Sequence, residues 1–398
     1  MDWTALFAAR MARVASSPIM DSLRAVASGK YVNFASGLPD PELFPREGLR
    51  HAFDEVLSGR SLADGALQYG SEEGHAPLRD WIASELSRTG PRLSAENVLV
   101  TAGSQQALDI AARLLLDPGD VVAVEDPTYV AFLQIADTLE ARTLGIPMDA
   151  AGMRVDVLEK TVSGTSFNPK LVFTLPDFQN PTGLSMSVER RERLVGLCRT
   201  RGIPILEDGA YAPLRYEGER RPTLLDLSGG EGVLSTGTFS KTIAPGIRVG
   251  WIAGPREAIR RMSHLKQATD IQTSTLAQTV AIRYVLSGAH EPHVALIRRT
   301  IDERRRRMLA ALEAALPKGA SATRPAGGMF AWVTLPEGAD SGRALRAAIE
   351  RGVAFVPGRG FHPGPERSER TLRLNFASTP VDAIDRGVAL LGEALAAS

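Results

Sequence analysis

Residues 98–116 read VLVTAGSQQALDIAARLLL, and this stretch decides which class of fold the chain can adopt. The β-rich run Val98–Thr101 leads through Gly103 into apolar residues that recur at helical spacing as far as Leu116. A stop follows at residues 117–119, which are Asp-Pro-Gly. A strand that leads directly into a helix through a glycine is typical of the repeating unit of an α/β domain.

The same alternation continues along the chain after this unit. Longer helical patterns separate the short apolar runs, as in residues 188–201, which end at Gly202. The pattern predicts an α/β fold with a mostly parallel seven-stranded sheet covered by helices. The expected strands are residues 98–101, 121–125, 142–146, 170–174, 203–207, 233–236 and 249–253.

The pattern changes beyond Ser287, where we expect a smaller α+β domain. Its expected elements are helices over residues 301–316, 341–351 and 381–397 and strands over residues 329–335 and 372–376. We therefore divide the chain into three parts. They are an N-terminal arm and small-domain segment (1–44), a large domain (45–286) and a C-terminal small domain (287–398).

Composition restricts the classes of partner and compartment. The chain has 398 residues, with 46 Lys plus Arg against 46 Asp plus Glu, so no net charge draws it to nucleic acid or to an anionic membrane. Cys198 is the only cysteine, which excludes an intrachain disulfide and a multi-cysteine metal site and favours the cytoplasm. No apolar run is long enough for a membrane span, and we expect no metal.

Residues 235–248, STGTFSKTIAPGIR, place Lys241 among hydroxyl side chains. A lysine held in a confined site beside other cations is partly unprotonated and can attack a carbonyl. Thr238, Ser240 and Arg248 offer two hydroxyls and a guanidinium, which together suit a phosphate monoester. The alternative for this segment is a surface lysine in a Ser/Thr-rich turn.

Four other segments carry candidate site residues. Ser104 and Gln105 open a helix after a strand, where an anion is favoured, although a plain helix cap is the alternative. Asp208 and Tyr211 follow a strand at the carboxyl edge of the sheet, where open α/β sheets bind ligands and where a carboxylate can hold a positive charge. Asn180 lies in a turn that can present its amide rigidly.

Tyr129 follows the strand predicted over residues 121–125 and can stack on a flat cofactor. Three of these residues also have a simpler interpretation. Asp208 can be a loop aspartate that caps the next segment, Asn180 can lie in an ordinary turn, and Tyr129 can be a core aromatic residue.

Together these segments resemble the fold type I pyridoxal-phosphate aminotransferases of class I/II, specifically the branch of the 2-aminoadipate and kynurenine aminotransferases. The resemblance covers essentially the whole chain. It adds FASGLP at residues 34–39, LQY at 67–69 and LRL at 372–374 to the segments above.

The resemblance implies transfer of the amino group of an L-amino acid to a 2-oxo acid such as 2-oxoglutarate, in ping-pong half-reactions. Lys241 would carry pyridoxal 5'-phosphate as a Schiff base and then act as the general base. Asp208 would pair with the ring nitrogen, Tyr211 and Asn180 with the ring hydroxyl, and Tyr129 would stack on the ring. The phosphate would be held by Ser104, Gln105, Thr238, Ser240, Arg248 and, from the partner subunit of a homodimer, Tyr69. The substrate would meet Arg373 at its α-carboxylate, with Gly37, Leu38 and Asn180 at the mouth.

One position departs from the family pattern. Where the aminoadipate and kynurenine enzymes have an arginine that recognises the distal end of the substrate, this chain has Met20. An apolar side chain cannot pair a carboxylate. We therefore expect a hydrophobic or aromatic amino donor, although Arg24, one turn further on, can compensate.

Three other functions compete with transamination. A pyridoxal-phosphate lyase, decarboxylase or oxidase would use the same cofactor-binding residues. A transcriptional regulator with an aminotransferase-like domain needs a DNA-binding head, and too few residues precede Phe34 for one. A metal hydrolase would rest on His290 and His293, but Pro292 predicts a solvated turn between helices there.

Overall fold

The computed structural model describes residues 1–14, 31–163, 167–364 and 368–396. The α-helices are α1 (Arg46–Ser58), α2 (Arg60–Leu67), α3 (Ala76–Leu86), α4 (Ser104–Leu115), α5 (Val130–Thr138), α6 (Val155–Ser163), α7 (Val188–Arg201), α8 (Leu224–Ser228), α9 (Arg256–Asp270), α10 (Thr275–Leu286), α11 (His290–Ala315), α12 (Ser341–Glu350) and α13 (Val381–Ala396). The strands are β1 (Val32–Asn33), β2 (Val98–Thr101), β3 (Val121–Asp126), β4 (Arg142–Asp149), β5 (Gly152–Met153), β6 (Leu171–Thr174), β7 (Ile205–Asp208), β8 (Val233–Thr238), β9 (Gly250–Ala253), β10 (Ser321–Ala322), β11 (Phe330–Thr334), β12 (Val353–Ala354), β13 (Val356–Pro357) and β14 (Thr371–Asn375).

The large sheet has the strand order β2-β9-β8-β7-β6-β3-β4-β5. The pairs β3–β4, β3–β6, β6–β7 and β7–β8 are parallel, whereas β9 and β5 pair antiparallel with their neighbours. The seven predicted strands are all present, and the mostly parallel α/β sheet is confirmed. The eighth strand, β5, was not predicted because two residues are too few to show an alternating pattern.

The elements that carry the site form for local reasons. Strands β6 and β7 are buried along their whole length, which explains the apolar residues with which they begin, 171–173 and 205–206. Helix α7 begins where Ser187 accepts a hydrogen bond from the Arg190 amide and ends at Gly202, whose φ is 65°. Both bounds agree with the prediction from sequence.

A second sheet lies in the C-terminal part, with the antiparallel order β10-β11-β14-β13. Strand β1 pairs in parallel with β12, so a segment near the N-terminus is hydrogen-bonded to this part of the chain. Helix α11 is longer than predicted, because it begins at His290 rather than at Ile301.

The segment containing His290 and His293 is not a solvated turn, so that prediction was wrong. It forms the first turn of α11, where Pro292 is tolerated because the first backbone N–H groups of a helix need no partner within the helix. His290 is buried, with its ring packed edge-on against Trp81, Phe239 and Tyr284. The described residues contain no cluster of acidic, histidine or cysteine side chains that could hold a metal ion, and no helix among them is long and apolar enough to cross a bilayer.

Burial makes His290 a source of acid sensitivity. Burial lowers the pKa of His290, whose two ring nitrogens have no hydrogen-bond partner among the described residues. The ring is therefore neutral in the folded state, whereas in the unfolded chain it binds a proton as the pH falls below about 6.5. Stability is consequently lost as the pH falls through this range.

We expect His290→Phe to keep the aromatic contacts and to raise Tm at pH 5 by roughly 2 °C over the wild type, with a smaller difference at pH 7. Thermal unfolding at both pH values measures this, with His51→Phe as the control because His51 is exposed. An equal loss of Tm between pH 7 and pH 5 in the wild type and in His290→Phe would contradict the assignment.

Candidate active site

A cavity opens at the carboxyl ends of β7 and β8, next to the beginning of α4. It contains about 610 Å³ of space, part of which is open to solvent. Nine of the predicted site residues line it. They are Ser104, Gln105, Tyr129, Asp208, Tyr211, Thr238, Ser240, Lys241 and Arg248, and the lining also includes Leu175, Ala210 and Pro245.

Lys241 lies in the short 3-10 turn Phe239–Lys241 that follows β8. Its Nζ lies 5.7 Å from the centroid of the Tyr211 ring. Desolvation in the cavity lowers the pKa of Lys241 to about 8, Asp208 opposes this shift, and Arg373 and Arg248 add to it. A substantial fraction of the amine is therefore unprotonated near neutral pH, as a carbonyl nucleophile requires.

Asp208 is the last residue of β7 and is almost fully buried. Its Oδ1 accepts hydrogen bonds from Thr236 Oγ1 and from the Ala210 amide, each at 3.1 Å. Burial raises the pKa of this carboxyl, while these hydrogen bonds and the charge of Lys241 lower it. A second cation in the cavity would favour the carboxylate further, so the site fits a protonated ring nitrogen.

The residues suited to a phosphate converge at the beginning of α4. Gly103 precedes this helix with φ 89°, and a Cβ there would overlap the Arg248 guanidinium, so only glycine leaves room for that side chain. The Arg248 guanidinium donates to the Ala102 carbonyl at 2.7 Å, and Thr238 Oγ1 donates to Ser240 Oγ at 2.9 Å. A helix N-terminus, hydroxyl groups and a guanidinium together fit a phosphate group.

Two tyrosines line the cavity, and an asparagine contacts one of them. Tyr129 donates to Gln105 Oε1 at 3.3 Å, and the Tyr211 side chain is hydrogen-bonded to that of Asn180. Burial raises the pKa of Tyr129 to about 12 and also raises that of Tyr211, so both phenols stay protonated and can donate hydrogen bonds at neutral pH. This arrangement suits a flat ring that carries an oxygen substituent.

Arg373 is 1% exposed and lies in β14. Its guanidinium donates to Asn180 Oδ1 and to the Ala35 carbonyl, each at 3.0 Å, and lies over the rings of Phe330 and Phe361. Burial lowers its pKa to about 10, so it keeps its charge at neutral pH. Its Nε has no partner among the atoms described, which leaves a donor free for a carboxylate.

The remaining predicted residues are placed as follows. Gly37 lies beside the Arg373 guanidinium, and a Cβ on Gly37 would be 3.8 Å from that group. The next residue, Leu38, is exposed. Tyr69 is 76% exposed and is not among the residues that line the cavity. Met20 and Arg24 lie outside the described residues.

Sequence reasoning missed Glu125, which lies fully buried near the end of β3. It accepts hydrogen bonds from Thr174 Oγ1 at 2.6 Å and Gln179 Nε2 at 3.1 Å, and so fixes the turn that presents Asn180. Burial raises its pKa to about 7. An acidic residue in an otherwise apolar strand was the available signal. Phe330 and Phe361, which contact Arg373, are not marked by any such signal in the sequence.

Comparison with known proteins agrees with this geometry. The sequence profile described as aminotransferase class I and II matches residues 30–391. The chain is 39% identical to aromatic-amino-acid aminotransferase 1 of Thermococcus litoralis, over 99% of this chain and 95% of that protein. It is 36% identical to 2-aminoadipate transaminase of Thermus thermophilus, over 99% of this chain and 98% of that protein.

Among solved structures, kynurenine aminotransferase of Pyrococcus horikoshii, crystallised with PMP, has a TM-score of 0.95 at 40% identity, covering 100% of this chain and 98% of that one. The family match and the full-length relatives agree with the lysine, carboxylate and anion-binding groups of the cavity. The chain belongs to the class I and II aminotransferases and is a pyridoxal-phosphate-dependent transaminase of amino acids.

Proposed function

We propose that this transaminase moves the amino group of a hydrophobic or aromatic L-amino acid to a 2-oxo acid such as 2-oxoglutarate. One observation carries the proposal. The amine of Lys241 shares a cavity with the Asp208 carboxyl, and the charges of Arg248 and Arg373 both act on that amine. The cavity therefore offers a nucleophile, a cation-binding carboxylate and the Arg248 guanidinium, and the Arg373 guanidinium acts on the same amine as a second anion-binding group, as the reaction needs.

The chain's own residues divide the work as follows. Bound pyridoxal phosphate supplies an electron sink that stabilises negative charge at the substrate's α-carbon. Nζ of Lys241 would remove the proton from the α-carbon and then donate it to the cofactor. Asp208 keeps the ring nitrogen protonated, because a buried carboxylate stabilises the adjacent positive charge. Tyr211 and Asn180 would donate to the ring oxygen of the cofactor, and Tyr129 would stack on its ring.

Separate groups would hold the cofactor and the substrate. The cofactor's phosphate would be held by Ser104, Gln105, Thr238, Ser240 and Arg248. Arg373 binds the α-carboxylate that amino acids and 2-oxo acids share, so a single group serves both half-reactions. Gly37, Leu38 and Asn180 border the entrance above it.

The apolar donor preference rests on Met20, and the 39% identical relative named for aromatic amino acids supports it. We expect phenylalanine, tyrosine and leucine to exceed 2-aminoadipate in kcat/KM. Met20→Arg is expected to shift the ratio of kcat/KM for 2-aminoadipate over phenylalanine upward by about tenfold, because an added charge pair in a partly desolvated site contributes on the order of 1.4 kcal/mol.

Initial rates with each donor and 2-oxoglutarate measure this ratio, and Met20→Leu is the matched control. An unchanged ratio in Met20→Arg would contradict the role of Met20, and a wild type that prefers 2-aminoadipate would point to Arg24 instead.

We also propose a homodimer with shared active sites. The side chains of Leu67, Tyr69 and Ile271 are largely exposed. Gln272, which follows Ile271, is hydrogen-bonded to Gly70, which follows Tyr69, so the two segments are neighbours. Such an apolar patch is typical of an interface, and Tyr69 would cross it to the partner's phosphate. Light scattering of the purified protein tests the assembly.

Two further proposals concern organisation and location. The domain boundaries of 1–44, 45–286 and 287–398 are supported by the separation of the eight-stranded sheet, which lies within residues 98–253, from the four-stranded sheet, which lies within residues 321–375. A cytoplasmic location is supported by the single cysteine, Cys198, which is buried and free.

A further inference from the structure

Lys266 is an unusual residue in α9, because its side chain is completely buried. Lysine is almost never fully buried without a partner, and here the partner is Asp270 on the next turn. Lys266 Nζ donates to Asp270 Oδ1 at 2.6 Å. The Asp270 side chain is 28% exposed, so only the lysine end of the pair is fully buried. Burying a lysine against a single carboxylate adds little to stability compared with an apolar residue of the same volume, so the presence of Lys266 calls for another explanation.

The pair connects to the phosphate end of the active site through a short chain of hydrogen bonds. Gln106 Nε2 donates to Asp270 Oδ2 at 2.6 Å. Gln106 Oε1 in turn accepts from the Ala102 amide at 2.7 Å, and the Ala102 carbonyl accepts from the Arg248 guanidinium at 2.7 Å. The ion pair therefore fixes the backbone between β2 and α4, from which Ser104 and Gln105 extend.

The same end of α9 also contacts the segment that contains Tyr69. Ile271 directly after Asp270 has φ 65° and ψ −59°, and the Gln272 amide donates to the Asp270 carbonyl at 2.7 Å, which together form a tight, strained γ-turn. Gln272 Oε1 accepts from the Gly70 amide. Asp270 thus lies between the phosphate-binding loop of its own subunit and the residue proposed to reach the partner's phosphate.

We propose that Lys266 and Asp270 are positioning residues for the cofactor phosphate, which they hold in place through Gln106 and the Ala102 amide. This inference rests on the proposed function, since it assumes that Ser104, Gln105 and Arg248 bind that phosphate. Removal of the lysine charge leaves the Asp270 carboxylate uncompensated, and it then repels the phosphate and no longer holds Gln106 in one orientation.

The test is binding of pyridoxal phosphate to the cofactor-free protein, measured by equilibrium dialysis, with inorganic phosphate as a competitor. We expect Lys266→Met to raise the Kd of pyridoxal phosphate about tenfold and the inhibition constant of phosphate by a similar factor, which corresponds to the loss of one charge-assisted hydrogen bond. KM for the amino donor is expected to stay within about twofold when the cofactor is saturating, because Arg373 is not in this chain of contacts.

Two further variants keep the result interpretable. Lys266→Met/Asp270→Asn removes both charges and leaves an amide for Gln106, so its Kd is expected to return to within about threefold of the wild type even if the single variant folds poorly. Arg261→Met is the matched control, because Arg261 forms an exposed ion pair with Glu257 on the same helix, four residues apart.

The outcomes separate the possibilities. A lower Tm in Lys266→Met with unchanged Kd values for pyridoxal phosphate and phosphate would show a purely structural ion pair and would overturn the proposal. A higher Kd for the cofactor without a change for phosphate would overturn it as well, because the effect would then lie elsewhere on the cofactor. Absence of cofactor binding by the wild type would instead refute the proposed function.

Discussion

Lys241→Ala is expected to lower kcat/KM for amino-group transfer by at least about 10⁴-fold, because the variant loses both the covalent attachment point and the general base. Asp208 and Arg373 remain in place, so we expect cofactor and substrate still to bind. The rate is measured with phenylalanine and 2-oxoglutarate at saturating pyridoxal phosphate.

Lys318→Ala is the matched control for this variant, because Lys318 is exposed. Retention of more than about 1% of the wild-type rate in Lys241→Ala, with cofactor bound, would exclude Lys241 as the proton-transfer group.

Arg373→Lys is expected to lower kcat/KM by roughly 100-fold for every amino donor and every oxo-acid acceptor. The charge is kept, but an ammonium group cannot form two parallel hydrogen bonds to a carboxylate or lie flat between Phe330 and Phe361. The loss is uniform because all these substrates share the α-carboxylate. A panel of donors and acceptors assayed at subsaturating concentration gives the ratios.

Arg324→Lys serves as the control, since Arg324 is an exposed arginine. A loss confined to donors with one type of side chain would place Arg373 at the distal end of the substrate and contradict its assignment to the α-carboxylate.

Much of the fold could be predicted because its information is local. The apolar residues with which β6 and β7 begin, and Ser187 and Gly202 at the two ends of α7, can be recognised without knowledge of distant residues. The beginning of α11 could not be predicted, because Pro292 signals a break when its position in the helix is unknown. Strand β5 is defined only by its pairing with β4.

The candidate site divides in the same way. Asp208, Lys241 and Ser104 each follow or end a strand, and the topology of the sheet brings those ends to one edge, so their proximity follows from sequence. The residues that support them depend on contacts far apart in the chain. Gln106 and Asp270 are 164 residues apart, and Arg373 and Ala35 are 338 apart. No local pattern shows such contacts, which is why Lys266 and Phe361 emerged only from the structure.

The central claim is that the protein transfers an amino group through its bound cofactor, and one absorbance measurement tests it most directly. The purified holoprotein is mixed with phenylalanine in the absence of any acceptor. We expect the visible band of the cofactor to disappear, one equivalent of the corresponding oxo acid to be released per active site, and added 2-oxoglutarate to restore the band. A band that persists with every amino acid, or consumption of the amino acid without an equivalent of oxo acid, would contradict transamination.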